Sequence, residues 1–349
     1  MMHFSKRTTE ILKGVIFITA LSTILVWVSH SITFTHIGES IFNQYATMRG
    51  EPFIFDGRPL LIHPFYNRIL FPSIFVLATS LLRGATDIQM FILLRFLSFV
   101  LCLAVIYVAA YRRSSSANQD AMTVCAIVAL AMIPTFNHGW VHTSDIFDLT
   151  ICVFMFMFIA EDRFKAAFLI ACLTAINRET GAFGAVAYIS LALGRQKLSL
   201  IGVRAALIGL VPYFGAIAVR KIVLGDQLPL LATGQWYIGV SYNLELLVEA
   251  LKRPSPIGWL MLLIGMMVLP WLLLLQKRST TDFKVRVAIA FGAVFGISAA
   301  VGISSEVRTF IPCLGLLTGC LLAQVNEPEA PARHGTEHKA GVSLSDNKA

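Results

Sequence analysis

Apolar residues in this chain come in long runs rather than alternating with polar ones. Stretches at 11–30, 91–111, 121–137, 199–219, 257–275, 286–303 and 308–323 each approach the roughly 20 residues a helix needs to cross a bilayer's hydrocarbon core. Residues 146–160 (IFDLTICVFMFMFIA) are shorter but continuous. The 166–193 region reads as a hairpin of two short helices with Asn177-Arg178-Glu179 at its tip. Ile69 to Leu82 is the exception, since it is short and contains Pro72. From Gln324 onward the chain turns polar and loses periodicity, so 325–349 is expected to be a disordered tail behind a membrane domain at 1–324. The expected fold is an all-α polytopic bundle of about ten membrane helices, with a long first loop carrying juxtamembrane helices.

Composition agrees with that pattern. Hydrophobic residues make up 56% of the chain, charged residues only 14%, and the mean hydropathy is +0.73. Soluble domains carry about 25% charged residues, so a soluble enzyme is excluded. The net charge of +8 is spread over loops, where membrane lipids absorb it, and calls for no nucleic-acid partner. All six cysteines lie in apolar runs and none forms C-x-x-C, so they read as small packing residues rather than disulfides or zinc ligands. Lys6, Arg7 and Lys13 before an apolar core resemble a signal peptide. No small-residue cleavage site follows, so the segment is expected to be retained as the first membrane helix.

Loop charge sets the expected orientation, because lysine and arginine favour the cytoplasmic side. If 69–82 stays on one face, Lys6/Arg7, Arg112/Arg113, Arg163/Lys165, Arg195/Lys197 and Lys277/Arg278 all fall inside, with Arg220/Lys221 and Lys252/Arg253 outside. Both termini are then cytoplasmic in a plasma (inner) membrane. The outer face gathers Glu39, Asp56, Tyr66 and Arg68 from the first loop, then His142, Asp145 and Asp148. It also receives Asn177, Arg178 and Glu179, and finally Glu306 and Arg308.

Each of these residues has a plain and a chemical reading. Glu39 either answers a helix macrodipole or serves as a carboxylate base at the surface. Arg68, beside Tyr66 and Asn67, either snorkels to headgroups or grips a phosphate with its planar fork. Asp145 in VHTSDIFDL suits a helix N-cap. Asp148, three residues on, shares its face and needs a partner or a wet cavity. His138 and His142 at i and i+4 give only a weak metal signal without a third ligand. Arg178–Glu179 and Glu306–Arg308 are either mutual ion pairs or anion-binding pairs. Triad, P-loop and dinucleotide patterns are absent.

Taken together, the order of these features resembles the C-type (GT-C) membrane glycosyltransferases that use polyprenyl-phosphate sugar donors, including aminoarabinose and mannosyl transferases. The features are a membrane helix, an acidic first loop, an aromatic–proline juxtamembrane helix, an aspartate opening an apolar helix and a hairpin with a basic tip. The resemblance covers about residues 11–220. It implies that Glu39 stands at the acidic first-loop motif, although Gly38 precedes it where relatives carry aspartate, which brings in Asp56 as the substitute base. It also implies that Asp145 matches the second external aspartate and that Arg178 takes the place of a donor-phosphate ligand. Glu306 and Arg308 are added by topology alone.

The expected activity is transfer of a sugar from a polyprenyl-phosphate donor to a lipid or saccharide acceptor at the outer face. Glu39, Asp145 and Asp56 are the catalytic candidates; Arg68, Arg178, Arg308 and Tyr66 hold the donor phosphate. Glu179, Glu306, Asn177, Asp148 and His142 support them. The sequence specifies no cofactor; the clustered carboxylates leave room for a divalent metal, with no ligand set legible. Rival expectations are a transporter or flippase of a lipid-linked saccharide, and a polysaccharide polymerase or ligase.

Overall fold

A computed structural model describes residues 6–48, 54–55, 58–59, 70–112, 117–139, 143–177, 179–224, 280–301 and 310–323. They are helical almost throughout. In chain order the helices are α1 (Lys6–Met48), α2 (Leu70–Leu81), α3 (Asp87–Tyr111), α4 (Ala117–Met132), α5 (Thr143–Ala160), α6 (Phe164–Asn177), α7 (Phe183–Ala192), α8 (Leu198–Leu224), α9 (Thr281–Val301) and α10 (Ile311–Leu322). Short 3-10 helices occupy Ile133–Gly139 and Glu179–Ala182. A two-residue antiparallel ladder pairs β1 (Ile54–Phe55) with β2 (Arg58–Pro59). The Asp56-Gly57 dipeptide between them is a combination tight hairpins favour.

Among the described residues four segments are long and apolar enough to cross a membrane: Thr8–Ser31, Asp87–Tyr111, Asn118–Phe136 and Leu198–Val219. Phe164–Asn177, Thr180–Ala192 and Ile311–Leu322 are apolar but shorter. Lipid-facing character is visible on α1, where Ile11, Leu12, Val15, Ile16, Ile24 and Trp27 are all more than half exposed. The expected span at 257–275 and the tail at 325–349 lie outside the described residues.

One element differs from the apolar pattern. The first helix does not stop near His30 but runs on to Met48, 43 residues in all. At 1.5 Å per residue that is about 65 Å, twice the thickness of a hydrocarbon core. Beyond Ser31 the sequence is no longer apolar, yet it has no proline before Pro52 and includes good helix formers such as Glu39, Gln44 and Ala46. Glu39 is therefore a helical residue on the extension of α1, not a member of an irregular loop.

The helix ends follow from local chemistry. The Thr86 backbone N–H donates to Gln89 Oε1 at 2.9 Å and the Gln89 N–H donates to Thr86 Oγ1 at 3.3 Å, a reciprocal cap that starts α3. At the opposite end of the bundle, the α5–α6 turn has Asp162 at φ 57° and the α7–α8 turn has Gly194 at φ 75°. A polar clasp joins these two turns. Gln196 Nε2 donates to Asp162 Oδ1 at 2.6 Å, and Tyr188 donates to Gln196 Oε1 at 3.1 Å. Arg204 Nη1 reaches Tyr188 at 3.1 Å and Asp162 at 3.4 Å, while its guanidinium lies 5.2 Å from the Phe164 ring.

α5 is the centre of the bundle, touching α2, α3, α6, α7 and α10. Its closest neighbour is α10, all of whose residues are buried. Small residues make the approach possible: a Cβ at Gly315 would stand 2.7 Å from Cys152 Cβ, and one at Gly319 2.7 Å from the Val153 carbonyl oxygen. A small-xxx-small spacing of this kind lets helix backbones meet in a membrane.

Candidate functional site

The beginning of α5 carries two aspartates, and both are fully buried, at 0% exposure. Asp145 falls inside the first turn of α5, which starts at Thr143, so it answers the helix dipole and is not the N-cap residue. Asp148 comes one turn later. At i and i+3 they share one side of α5, yet they meet different surroundings.

Asp148 is held by the hairpin tip between α6 and α7. Thr180 Oγ1 lies 2.9 Å from Asp148 Oδ1 and 3.0 Å from Oδ2, placing the donated proton between the two oxygens. Asn177, the last residue of α6 and itself fully buried, approaches Oδ1 through Nδ2 at 3.5 Å. A buried carboxylate thus receives donors from both flanks of the tip, as burial of a charge requires. Asn177 is expected at the site from the sequence, whereas Thr180 enters only through the fold.

Asp145 borders a cavity of about 10 Å³, roughly the room one water needs. Thr135 and Phe136 from the 3-10 helix, Met132 from α4, Ile146 and Leu149 from α5, and Ile311 and Leu314 from α10 complete its wall. The N-terminal end of α10, with its partial positive charge, therefore lies on the same cavity as the Asp145 carboxylate.

A third buried charge was not singled out by the sequence. Arg95, two turns into α3, has 0% exposure; its Nη1 donates to Ser29 Oγ of α1 at 3.3 Å, and its guanidinium stands 4.4 Å from the Phe91 ring centre. The signal was present as a lone arginine inside FILLRFLSFVLC, since an ionisable residue in a membrane span is a functional candidate by default. Aromatic contacts tie it to the aspartates. Phe91 belongs to the cluster of Phe71, Phe75, Met90 and Leu94, onto which Phe147 packs from between Asp145 and Asp148. One turn beyond Arg95, Phe99 meets Phe136 edge-to-face at 5.9 Å, and Phe136 borders the Asp145 cavity. Arg95 and the two aspartates thus lie toward the same end of the bundle, linked through two separate aromatic contacts, Phe91 with the Phe71/Phe147 cluster and Phe99 with Phe136.

Of the residues expected at the site, Asp145, Asp148 and Asn177 are gathered here. Glu179 opens the 3-10 turn beside Thr180, and Glu39 is on α1; for both, the backbone alone is described. Asp56, Tyr66, Arg68, His142, Arg178, Glu306 and Arg308 lie outside the described residues. Among the described residues no group of three His, Cys, Asp or Glu side chains is arranged to hold a metal ion. The six cysteines are all free thiols, five of them buried.

Fold and site define a multi-pass helical membrane protein with buried charges grouped at one end. No family model, curated protein or solved structure matches the chain.

Proposed function

We propose that this protein is a GT-C-type membrane glycosyltransferase that moves a sugar from a polyprenyl-phosphate donor to a lipid or saccharide acceptor at the outer face of the plasma (inner) membrane. The observation that supports this most is the burial of Asp145 and Asp148 at the start of α5, the latter bonded to both flanks of the tip that bears Arg178. Membrane burial of two carboxylates is costly, and a site that handles charge gives a reason to retain them.

In the proposed reaction the acceptor hydroxyl oxygen forms a bond to the anomeric carbon as the bond from that carbon to the phosphate oxygen breaks. The hydroxyl proton passes to a carboxylate, Glu39 or its substitute Asp56. Arg178, with Arg68, Tyr66 and Arg308, meets the charge left on polyprenyl phosphate. Asp145 orients the acceptor, and Asp148 with Asn177 and Thr180 holds the tip. Full-length protein in liposomes, given polyprenyl-phosphate sugars and a mixed acceptor extract, should release polyprenyl phosphate and label the acceptor. Absence of release from every donor tried, by folded protein, would reject the transferase.

One observation favours a second reading, carriage of a lipid-linked saccharide. Arg95 is fully buried two turns inside a helix long and apolar enough to span the membrane. A carrier would translocate labelled lipid-linked sugar between leaflets with no change in its chemical form, which the same liposomes report.

A further inference from the structure

Away from the buried charges, at the N-terminal ends of α1 and α4, a groove of about 440 Å³ opens between the two helices. Its composition changes along its length. Glu10 and Lys13 of α1 and Asn118 and Gln119 of α4 line one end; Phe17, Met122, Thr123 and Ala126 continue it along the same two helices, the Thr123 hydroxyl donating back to the Gln119 carbonyl. Glu10 and Asn118 both stand at helix starts and touch one another, so α1 and α4 run in the same direction. Both helices are long and apolar enough to cross a membrane, so the polar end lies toward the bilayer surface and the apolar end toward its interior. An amphiphile has the same gradient.

The polar end is organised rather than merely charged. Tyr107 of α3 donates to Asn118 Oδ1 at 2.6 Å, and Asn118 Nδ2 donates to Glu10 Oε2 at 2.5 Å. This relay across three helices fixes one oxygen of the carboxylate. The other oxygen meets Lys13 Nζ at 3.3 Å in a pair whose lysine side chain is 58% exposed. An exposed i,i+3 pair contributes little, so Lys13 can turn to another anion at small cost, whereas Glu10 is held in place.

We propose that this groove binds a phospholipid whose headgroup bears a primary ammonium, that is, a phosphoethanolamine lipid of the leaflet at the N-terminal end of α1. Lys13 takes the phosphate and the fixed Glu10 carboxylate accepts N–H from the ammonium. Phe17, Met122 and Ala126 pack against an acyl chain. A choline headgroup has no N–H to donate to Glu10, and a glycerol headgroup offers only neutral hydroxyls, which leave the carboxylate charge unmatched. The site selects by hydrogen bonding at a position where a carboxylate is already oriented. It is independent of the transferase reading, being built from other residues at the other end of α1's membrane span.

Delipidated full-length protein, offered equal amounts of phosphoethanolamine, phosphocholine and phosphoglycerol lipids with matched acyl chains, can be weighed intact by native mass spectrometry. The phosphoethanolamine adduct should exceed the phosphocholine adduct at least about fivefold, as a charge-assisted hydrogen bond allows. Glu10→Gln should bring that ratio close to one, and Ala126→Phe should lower all adducts together. Asn118→Ala, which frees Glu10 without removing it, should also reduce the ratio and serves if Glu10→Gln does not fold. Equal retention of the two zwitterionic lipids by the unmodified protein would overturn the proposal. So would a preference for phosphoglycerol, which would mean simple attraction to Lys13, or an unchanged ratio in folded Glu10→Gln or Asn118→Ala.

Discussion

The Thr180 hydroxyl straddles the Asp148 carboxylate, 2.9 Å from one oxygen and 3.0 Å from the other, in a part of the protein both residues share with almost no solvent. Removing that hydroxyl leaves the carboxylate buried with one donor fewer. Thr180→Val should lower stability by about 1.5–3 kcal/mol, the range for hydrogen bonds to charged groups, and Thr180→Ser should recover most of it. Thermal unfolding in detergent reads both. Equal melting temperatures for Thr180→Val and the unmodified protein would mean that Asp148 depends on other donors.

Arg95 offers a second stability test. Arg95→Lys keeps the charge but loses the planar group over Phe91 and the fork that reaches Ser29. A desolvated cation–π contact is worth about 2 kcal/mol, so a loss of that order is expected for Arg95→Lys. Phe91→Leu should weaken the same contact. Additive losses in the double variant would show the two residues to be uncoupled.

The seam between α5 and α10 should tolerate no added methyl. Gly319→Ala places a carbon 2.7 Å from the Val153 carbonyl and 2.9 Å from Phe156 Cβ, atoms that cannot move without moving α5. A cost of about 1–3 kcal/mol is expected. Gly215→Ala on α8 meets nothing within 4 Å and should be neutral or slightly stabilising. Matching melting temperatures for the two alanine variants would contradict the packing described here.

Orientation can be tested with introduced thiols, because five of the six native cysteines are buried and the sixth, Cys172, lies in an apolar helix. Single cysteines at Ser116 and Ser31 should label from opposite faces with an impermeant reagent. Labelling from one face would mean that the segment around α2 crosses the membrane and that the site residues do not share a surface.

For the proposed chemistry, Glu39→Gln should lower turnover by about 10²–10⁴-fold with donor binding intact, and Asp56→Asn decides whether the base has moved to Asp56. Asp145→Asn should also slow turnover. Arg178→Ala should weaken donor binding by about 1.5–3 kcal/mol, and Arg178→Lys should restore only part of that loss. Full turnover in both folded carboxylate variants, Glu39→Gln and Asp56→Asn, would remove the base assignment.

The membrane helices were legible because a bilayer imposes length and hydropathy on any segment that crosses it. That criterion is blind where the helix leaves the lipid, which is why the stretch from Ser31 to Met48 read as a loop. Gly38 and the polar residues around it lack a hydropathy signal, and glycine, threonine and serine lack helix propensity too, so neither criterion marks the continuation of α1. Arg95 is inconspicuous for the converse reason: its neighbours in α3 are so apolar that one charge barely alters the mean hydropathy of the segment. Asp148's need for a partner was visible from its position one turn inside an apolar helix. Asn177 was nameable as an amide at the hairpin tip, but a threonine hydroxyl such as Thr180 is too common to stand out before the fold brings it near.

Since every residue of α10 is enclosed by protein, this segment has no surface of its own to offer to lipid. It is also synthesised long after α5, whose flank it fills. While the ribosome is still extending the chain, Asp145 lies beside a gap that Ile311 and Leu314 will later close. Assembly of this end of the molecule must then be post-insertional. Mutations in the glycine seam should accordingly appear as a chain that integrates normally and is degraded before it matures, rather than as one that fails to enter the membrane.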